Sequence, residues 1–304
     1  MQVRILESMQ QTIERSAESE EYRDLLRLFL SSKDWHHSKW SECVIETYRL
    51  FGGADDMIID AAAALELLML AQDILDDLQD EDHEEAPWMT CPKGLALNAM
   101  MSLVFGAMNE IGRLDREHGK NGAVIRKLNK YVLQALDGQF RDLQGDIQTE
   151  QQYVEIAYSK SAVLLRLACY MGYVWTQVSE KQMKMMDELA ENLGMTAQIY
   201  NDLNDLQRWE EKSDMRMKKK TLPILMMLSD EENRLTRSYF DGTLSWDELA
   251  ASKARWDDEK EASGAVEACQ VIVRMYRNRA RRLLDELDVD AERKQRFWER
   301  IVKP

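Results

Sequence analysis

Apolar residues recur at helical spacing along most of this chain, with the i, i+3, i+4, i+7 pattern clearest over residues 57–78, 95–114, 124–143, 153–178, 184–209 and 222–228. Each of these segments predicts an α-helix. Residues 61–70 are apolar nearly all round, the pattern of a helix buried within a helical body. The last 50 residues alternate apolar and charged positions, as in VIVRMYRNRARRLLDELDVD, and predict an amphipathic helix that packs back on the body. Residues 81–93 and 210–220 lack periodicity and read as loops. Proline is absent from residues 1–86 and 93–222, so the segments flanking Pro87 and Pro92 can run as long helices. No Gly/Ser-rich linker divides the chain and no fixed-period repeat appears, so residues 1–304 read as one large all-α domain.

Composition agrees: 13 Gly and 4 Pro in 304 residues leave few helix breakers. A formal charge of −15 sets the surface against a phosphate backbone, and nucleic acid is not an expected partner. Cys43, Cys91, Cys169 and Cys269 match no zinc or CxxC spacing and read as reduced, mostly buried thiols. The N-terminus carries Arg4, Glu7, Glu14 and Arg15 where a secretory signal would be apolar, so a cytoplasmic chain is expected. No uncharged run reaches the roughly 18 residues that a transmembrane segment needs.

The chemistry concentrates in AQDILDDLQDED, where Asp73, Asp76, Asp77 and Asp80 fall at i, i+3, i+4 and i+7 on one helical face. Exposed like-charge pairs on a helix cost roughly 0.2–0.5 kcal/mol each, and buried ones cost far more unless cations intervene. Hard divalent cations, Mg²⁺ above all, are held by one or two carboxylates together with waters and substrate phosphates. Such a face could therefore hold a diphosphate through metal ions. A second acidic group, Asn201, Asp202 and Asp205 in GMTAQIYNDLND, again shares a helical face. Two such faces opposed would bracket a polyphosphate. Lys218, Lys219 and Lys220 then form a basic turn, and lysine supplies point charge to phosphate oxygens.

Taken in order, these residues resemble the trans-prenyltransferase, or polyprenyl diphosphate synthase, family. DDLQD at Asp76 to Asp80 is similar to its first aspartate-rich motif. QIYNDLND, from Gln198 to Asp205, is similar to the second, with Asn201 in place of the first Asp. KKKTLP, the Lys160 and Ser161 pair in YSKSAVLL, GQFRDL with Gln139, and LGMTAQ ending at Gln198 complete the resemblance. A narrower resemblance, to the ComQ-type enzymes that isoprenylate a tryptophan of a bacterial competence pheromone in quorum sensing, rests on FGGADD, DILDDLQDED followed by APWM, and LNAMMSL. The first motif's register stays open. Counting back from Pro87 puts Asp73 where the second motif aspartate belongs, whereas the literal DDxxD begins at Asp76.

The resemblance implies a helical isoprenoid-synthase fold, a homodimer, and Mg²⁺ held by Asp73, Asp76, Asp77, Asp80, Asp202 and Asp205. Asp76, Asp77, Asp80, Asp202, Lys160 and Lys220 would be catalytic. Lys160, Lys220, Gln198 and Gln139 would bind an allylic diphosphate, geranyl or farnesyl, and Met69 with Leu68, Leu70 and Ala71 would line its tail. Departures bear on the acceptor. Chain-elongating enzymes carry paired arginines where this chain reads HEEAP (residues 83–87), and their Gly-Gly-Lys becomes Gly52, Gly53, Ala54. Those cations would hold isopentenyl diphosphate, so elongation is put in doubt, and the ComQ-type resemblance implies a tryptophan-containing precursor peptide as acceptor. A chain-elongating short-chain synthase, a terpene cyclase of the same metal-dependent class and a non-catalytic partner subunit remain alternatives. His83 is a candidate indole base, and His36 and His37 read as surface residues.

Overall fold

The computed structural model describes residues 1–35, 38–81, 83–210 and 213–302. His36 and His37, together with Asp82 of the acidic run and residues 211–212 of the second expected loop, lie outside the described residues. Among the described residues the regular structure is entirely helical. In chain order the helices begin with α1 (Gln2–Ser16), α2 (Glu20–Ser31), α3 (Lys39–Leu50), α4 (Ile58–Asp80), α5 (Pro87–Thr90) and α6 (Lys93–Glu117). There follow α7 (Ala123–Leu143), α8 (Glu150–Ala157), a π-helical turn (Tyr158–Ala162), α9 (Val163–Tyr173), α10 (Glu180–Gln207) and α11 (Ser213–Arg216). The chain ends with α12 (Leu222–Ser229), α13 (Arg234–Phe240), α14 (Trp246–Ala251), α15 (Lys253–Ala262), α16 (Ala265–Glu286) and α17 (Ala291–Ile301).

The six expected helical segments are all present, with one difference. Residues 153–178 do not form one helix. They divide into the end of α8, the π turn and α9, and the helix stops at Tyr173. The two expected loops each contain a single helical turn, α5 and α11, and α5 begins with Pro87 at the position where a missing N–H costs nothing.

The chain forms two compact units. The first comprises Met1–Tyr131, Leu165–Asp187 and Leu284–Pro304. Its centre is α4, which packs on α1, α3 and α6. Every residue from 61 to 71 is buried, as its all-round apolar pattern requires. Glu66 is the exception in chemistry but not in burial. It is fully enclosed, and its Oε1 accepts hydrogen bonds from the Ser41 backbone N–H at 2.8 Å and from the Ser38 hydroxyl, so a carboxylate of one helix caps the positive end of α3. Asp115 does the same for α7, accepting from the backbone N–H groups of Val124 at 2.7 Å and Ile125 at 3.2 Å. Helix α17 packs on α3, and Arg296 grips the buried Glu46 with Nε at 2.7 Å and Nη2 at 3.0 Å. Cys43 and Cys169 lie buried with sulfurs 3.4 Å apart, unbridged like the other two cysteines. By length and composition α6 could cross a membrane, with a mean hydropathy of 1.2 over its best window. Ala96, Ala99, Leu103, Ala107, Ile111 and Leu114 are buried along it, in contact with α4 and α1, while Leu97, Met101 and Phe105 are exposed.

The second unit comprises Val132–Leu164 and Glu188–Leu283. Its core joins Tyr153, Ile156, Ile199, Leu203, Leu222 and Leu225 with Cys269 and Val273 of α16. A neighbouring cluster packs Trp209 against Trp256, with ring centroids 4.9 Å apart and planes tilted by 51°. The π turn is seated where two glycines allow backbone to approach: a Cβ at Gly138 would overlap the Lys160 backbone, and one at Gly194 would overlap Ala162.

Replacing Glu66 by Ala removes the α3 cap and opens a cavity beside buried Ser41. The expected loss is about 2 kcal/mol or more, read as a fall in the urea midpoint. An unchanged midpoint would contradict the capping role.

Candidate active site

The two aspartate groups fall in different units. In the first, α4 ends at Asp80, and Glu81 and His83 both take left-handed backbone conformations with φ near 51°. This reversal turns the following loop back onto the helix. His83 Nδ1 lies 2.8 Å from Asp77 Oδ1, and the Trp88 indole N–H donates to Asp77 Oδ2 at 2.7 Å. Asp77 is only 8% exposed, and both of its oxygens are thereby met by side chains of the HEEAPW segment. Trp88 is itself buried, edge-on to Phe29 at 5.6 Å. Asp73 pairs with the Lys33 ammonium, which also lies over the Trp35 ring at 5.4 Å. Burial raises the Asp73 pKa above the ordinary carboxylate value, Lys33 opposes the rise, and the charge of Asp77 adds to it. Asp76 Oδ1 accepts from Gln72 Nε2 at 2.9 Å, and both Asp76 and Asp80 are partly buried. Met69 is 2% exposed in the continuous core of α4.

In the second unit Asp202 is almost wholly buried. Its Oδ2 accepts from the Tyr153 hydroxyl at 2.5 Å and its Oδ1 from Gln198 Nε2 at 2.8 Å. Ser161, on the π turn, donates to Gln198 Oε1 at 2.5 Å and so fixes which way that amide faces. Burial pushes the Asp202 carboxyl up to about 7, against the lowering effect of the Tyr153 and Gln198 donors and of the Leu222 backbone N–H. Asn201 is exposed while Asp202 is buried, so the burying face of α10 is the one shared by Gln198 and Asp202. A small hollow is lined by Asp202 and Asp205 together with Asp214, Lys219 and Thr221, and Lys219 pairs with Asp214 at 3.1 Å. Lys160 pairs with Asp142 at 2.6 Å, Lys220 donates to Gln148 Oε1 at 3.0 Å, and Gln139 is buried.

Sequence reasoning missed Trp88, Tyr153, Lys33 and Asp214. APWM stood out as text, but nothing in it specifies an acceptor for the indole N–H. Tyr153 occupies an apolar position of an amphipathic helix and gives no polar signal at all.

The donor set consists of carboxylate oxygens, the chemistry of a hard divalent cation. Among the described residues, no three His, Cys, Asp or Glu side chains are gathered tightly enough to hold a metal unaided. That is compatible with a cation bound by one or two carboxylates and completed by substrate phosphate and water. The buried, donor-held Asp77 and Asp202 fit such a group.

Residues 41–250 match the polyprenyl synthetase family, and the chain belongs to that family. It is an isoprenyl transferase that uses an allylic diphosphate. Over 97% of its length and 96% of the relative's, it is 26% identical to the tryptophan prenyltransferase ComQ of Bacillus subtilis (strain 168). It is also 28% identical to a short chain isoprenyl diphosphate synthase of Methanocaldococcus jannaschii, over 62% of each chain. In three dimensions it resembles a geranylgeranyl pyrophosphate synthase with a TM-score of 0.82 at 17% identity, covering 97% of this chain and 95% of the other. A polyprenyl synthase from Caulobacter crescentus CB15, crystallised with calcium and isoprenyl diphosphate, gives a TM-score of 0.78 at 18% identity over 99% and 96% of the two chains. The fold is thus the all-α isoprenoid-synthase fold that the motifs imply.

If these carboxylates serve the donor diphosphate, Asp77→Ala and Asp202→Ala each lower turnover by about a hundredfold or more while helical content by circular dichroism is retained. Full activity in either variant would refute the assignment.

Proposed function

We propose that this enzyme transfers a geranyl or farnesyl group from its allylic diphosphate to a tryptophan of a precursor pheromone peptide, with Mg²⁺ as cofactor. The observation that carries the acceptor assignment is the HEEAPW segment: it offers no arginine to a second diphosphate, bears Glu84 and Glu85, and commits His83 and Trp88 to Asp77. Similarity to ComQ over nearly the whole chain supports the same reading. In this account Asp73, Asp76, Asp77 and Asp80 of the first unit and Asp202 and Asp205 of the second are the carboxylates that hold Mg²⁺. The bound metal would supply Lewis-acid stabilisation of charge on the departing diphosphate.

The chain's own residues do the rest. Lys160 and Lys220 contribute positive charge toward phosphate oxygens once drawn from Asp142 and Gln148. Gln198 and Gln139 act as hydrogen-bonding neighbours of the donor, and Met69 limits its tail. The indole carbon of the acceptor forms the new bond to C1 as the C1–oxygen bond breaks, diphosphate leaves with the bonding electron pair, and the indole releases one proton to solvent.

We further take residues 1–304 as one functional domain, cytoplasmic as its unbridged cysteines suit. We also take the chain to act as a homodimer. In the first unit Leu97, Met101 and Phe105 form an exposed apolar stripe on α6, and in the second Leu133, Leu136 and Phe140 form one on α7. Such stripes mark protein interfaces.

A second reading, chain elongation, is favoured by the similarity to the Methanocaldococcus synthase. Mass spectrometry separates the two. Protein, Mg²⁺, allylic diphosphates and isopentenyl diphosphate are incubated with and without a tryptophan-containing precursor peptide encoded beside the gene. An Mg²⁺-dependent peptide adduct of one isoprenoid mass is expected. Longer diphosphates with an unmodified peptide would overturn the proposal in favour of elongation.

A further inference from the structure

One aspartate of each motif is gripped in the same manner, and in both cases an aromatic donor comes from outside the aspartate-rich motif. In the first unit the Trp88 N–H donates to Asp77 Oδ2 at 2.7 Å from a ring 7% exposed and set at 80° to Phe29. In the second, the Tyr153 O–H donates to Asp202 Oδ2 at 2.5 Å from a ring 5% exposed among Ile156, Leu203 and Leu222. An aromatic side chain enclosed by apolar atoms has two torsions and no water to turn to, so its polar tip keeps the partner it has. The other oxygen of each carboxylate meets a second side chain, His83 in one case and Gln198 in the other. A carboxylate offers about four lone-pair sites. At Asp77 the side chains claim one site per oxygen, and Asp202 also accepts the Leu222 backbone N–H, which fixes each group's orientation and leaves acceptor capacity for a cation.

We propose that Trp88 and Tyr153 are positioning residues for divalent metal, each holding Oδ2 of one motif aspartate so that its remaining lone pairs stay available to a cation. The inference rests on the reading of these aspartates as metal-holding groups. Groups that hydrogen-bond a metal's carboxylate ligands typically govern affinity by 10–100-fold when removed. A merely structural role would instead have each bond satisfy a buried N–H or O–H and change only stability.

The two roles are separated by Trp88→Phe and Tyr153→Phe, which delete the donor and keep the ring. Free Mn²⁺ is followed by electron paramagnetic resonance while the full-length protein is titrated with Mn²⁺ and inorganic diphosphate, and metal-free melting is recorded alongside. Each variant is expected to bind Mn²⁺ about 10–100-fold more weakly, and Trp88→His, which returns a ring N–H, to recover part of the loss. Phe29→Leu, which loosens the packing on Trp88 but leaves its donor, is expected to lower the melting temperature without moving the Mn²⁺ affinity. Should Tyr153→Phe fail to fold, the Trp88 variants decide. Wild-type affinity in the Phe variants, or an equal loss in Phe29→Leu, overturns the inference. Wild-type protein that binds no Mn²⁺ at all would instead overturn the metal reading beneath it.

Discussion

A carboxylate taken out of water loses several kcal/mol of solvation unless protein donors replace what the water gave, and the organisation of this chain follows from meeting that demand repeatedly. Glu66, Asp115, Asp77 and Asp202 are all buried, and each receives at least two donors. The donors differ in kind. Glu66 and Asp115 are met largely by backbone N–H groups at helix starts, an arrangement that fastens one helix to the next. Asp77 is met by side chains of the following segment, and Asp202 by the side chains of Tyr153 and Gln198 together with the Leu222 backbone N–H. Even so, burial outweighs the hydrogen-bond donors at Asp202 and leaves its carboxyl raised to about 7.

How much of this could be read from the text alone depends on whether a feature is local. Helix positions follow the apolar period, and the buried run at residues 61–71 follows from a stretch with almost no polar face. The DDLQD spacing likewise places its aspartates on one helix face without any tertiary information. The π turn was not legible, because it is accommodated by Gly138 and Gly194 approaching from other helices, and periodicity within residues 153–178 carries no trace of them. Tyr153 lies 49 residues before Asp202 and Lys33 lies 40 before Asp73. Both pairings are facts of packing, and a Tyr at an apolar helical position reads as core whether or not its hydroxyl has a purpose.

The segment after the first motif was legible in a different way. Its composition, HEEAPW, signalled a departure from chain-elongating enzymes, but composition alone could not say where those residues go. Two left-handed residues, Glu81 and His83, end α4 abruptly and return the loop to Asp77. The segment that resembles the place of the paired arginines in elongating enzymes here brings a histidine ring and an indole N–H to an aspartate.

The account turns on whether donor diphosphate binding depends on the carboxylates acting through a divalent metal. Calorimetric titration of the full-length protein with geranyl or farnesyl thiodiphosphate, an unreactive donor analogue, with and without Mg²⁺, measures this directly. The account predicts binding that requires Mg²⁺ and is lost on chelation. Equal affinity in the absence of metal would contradict it.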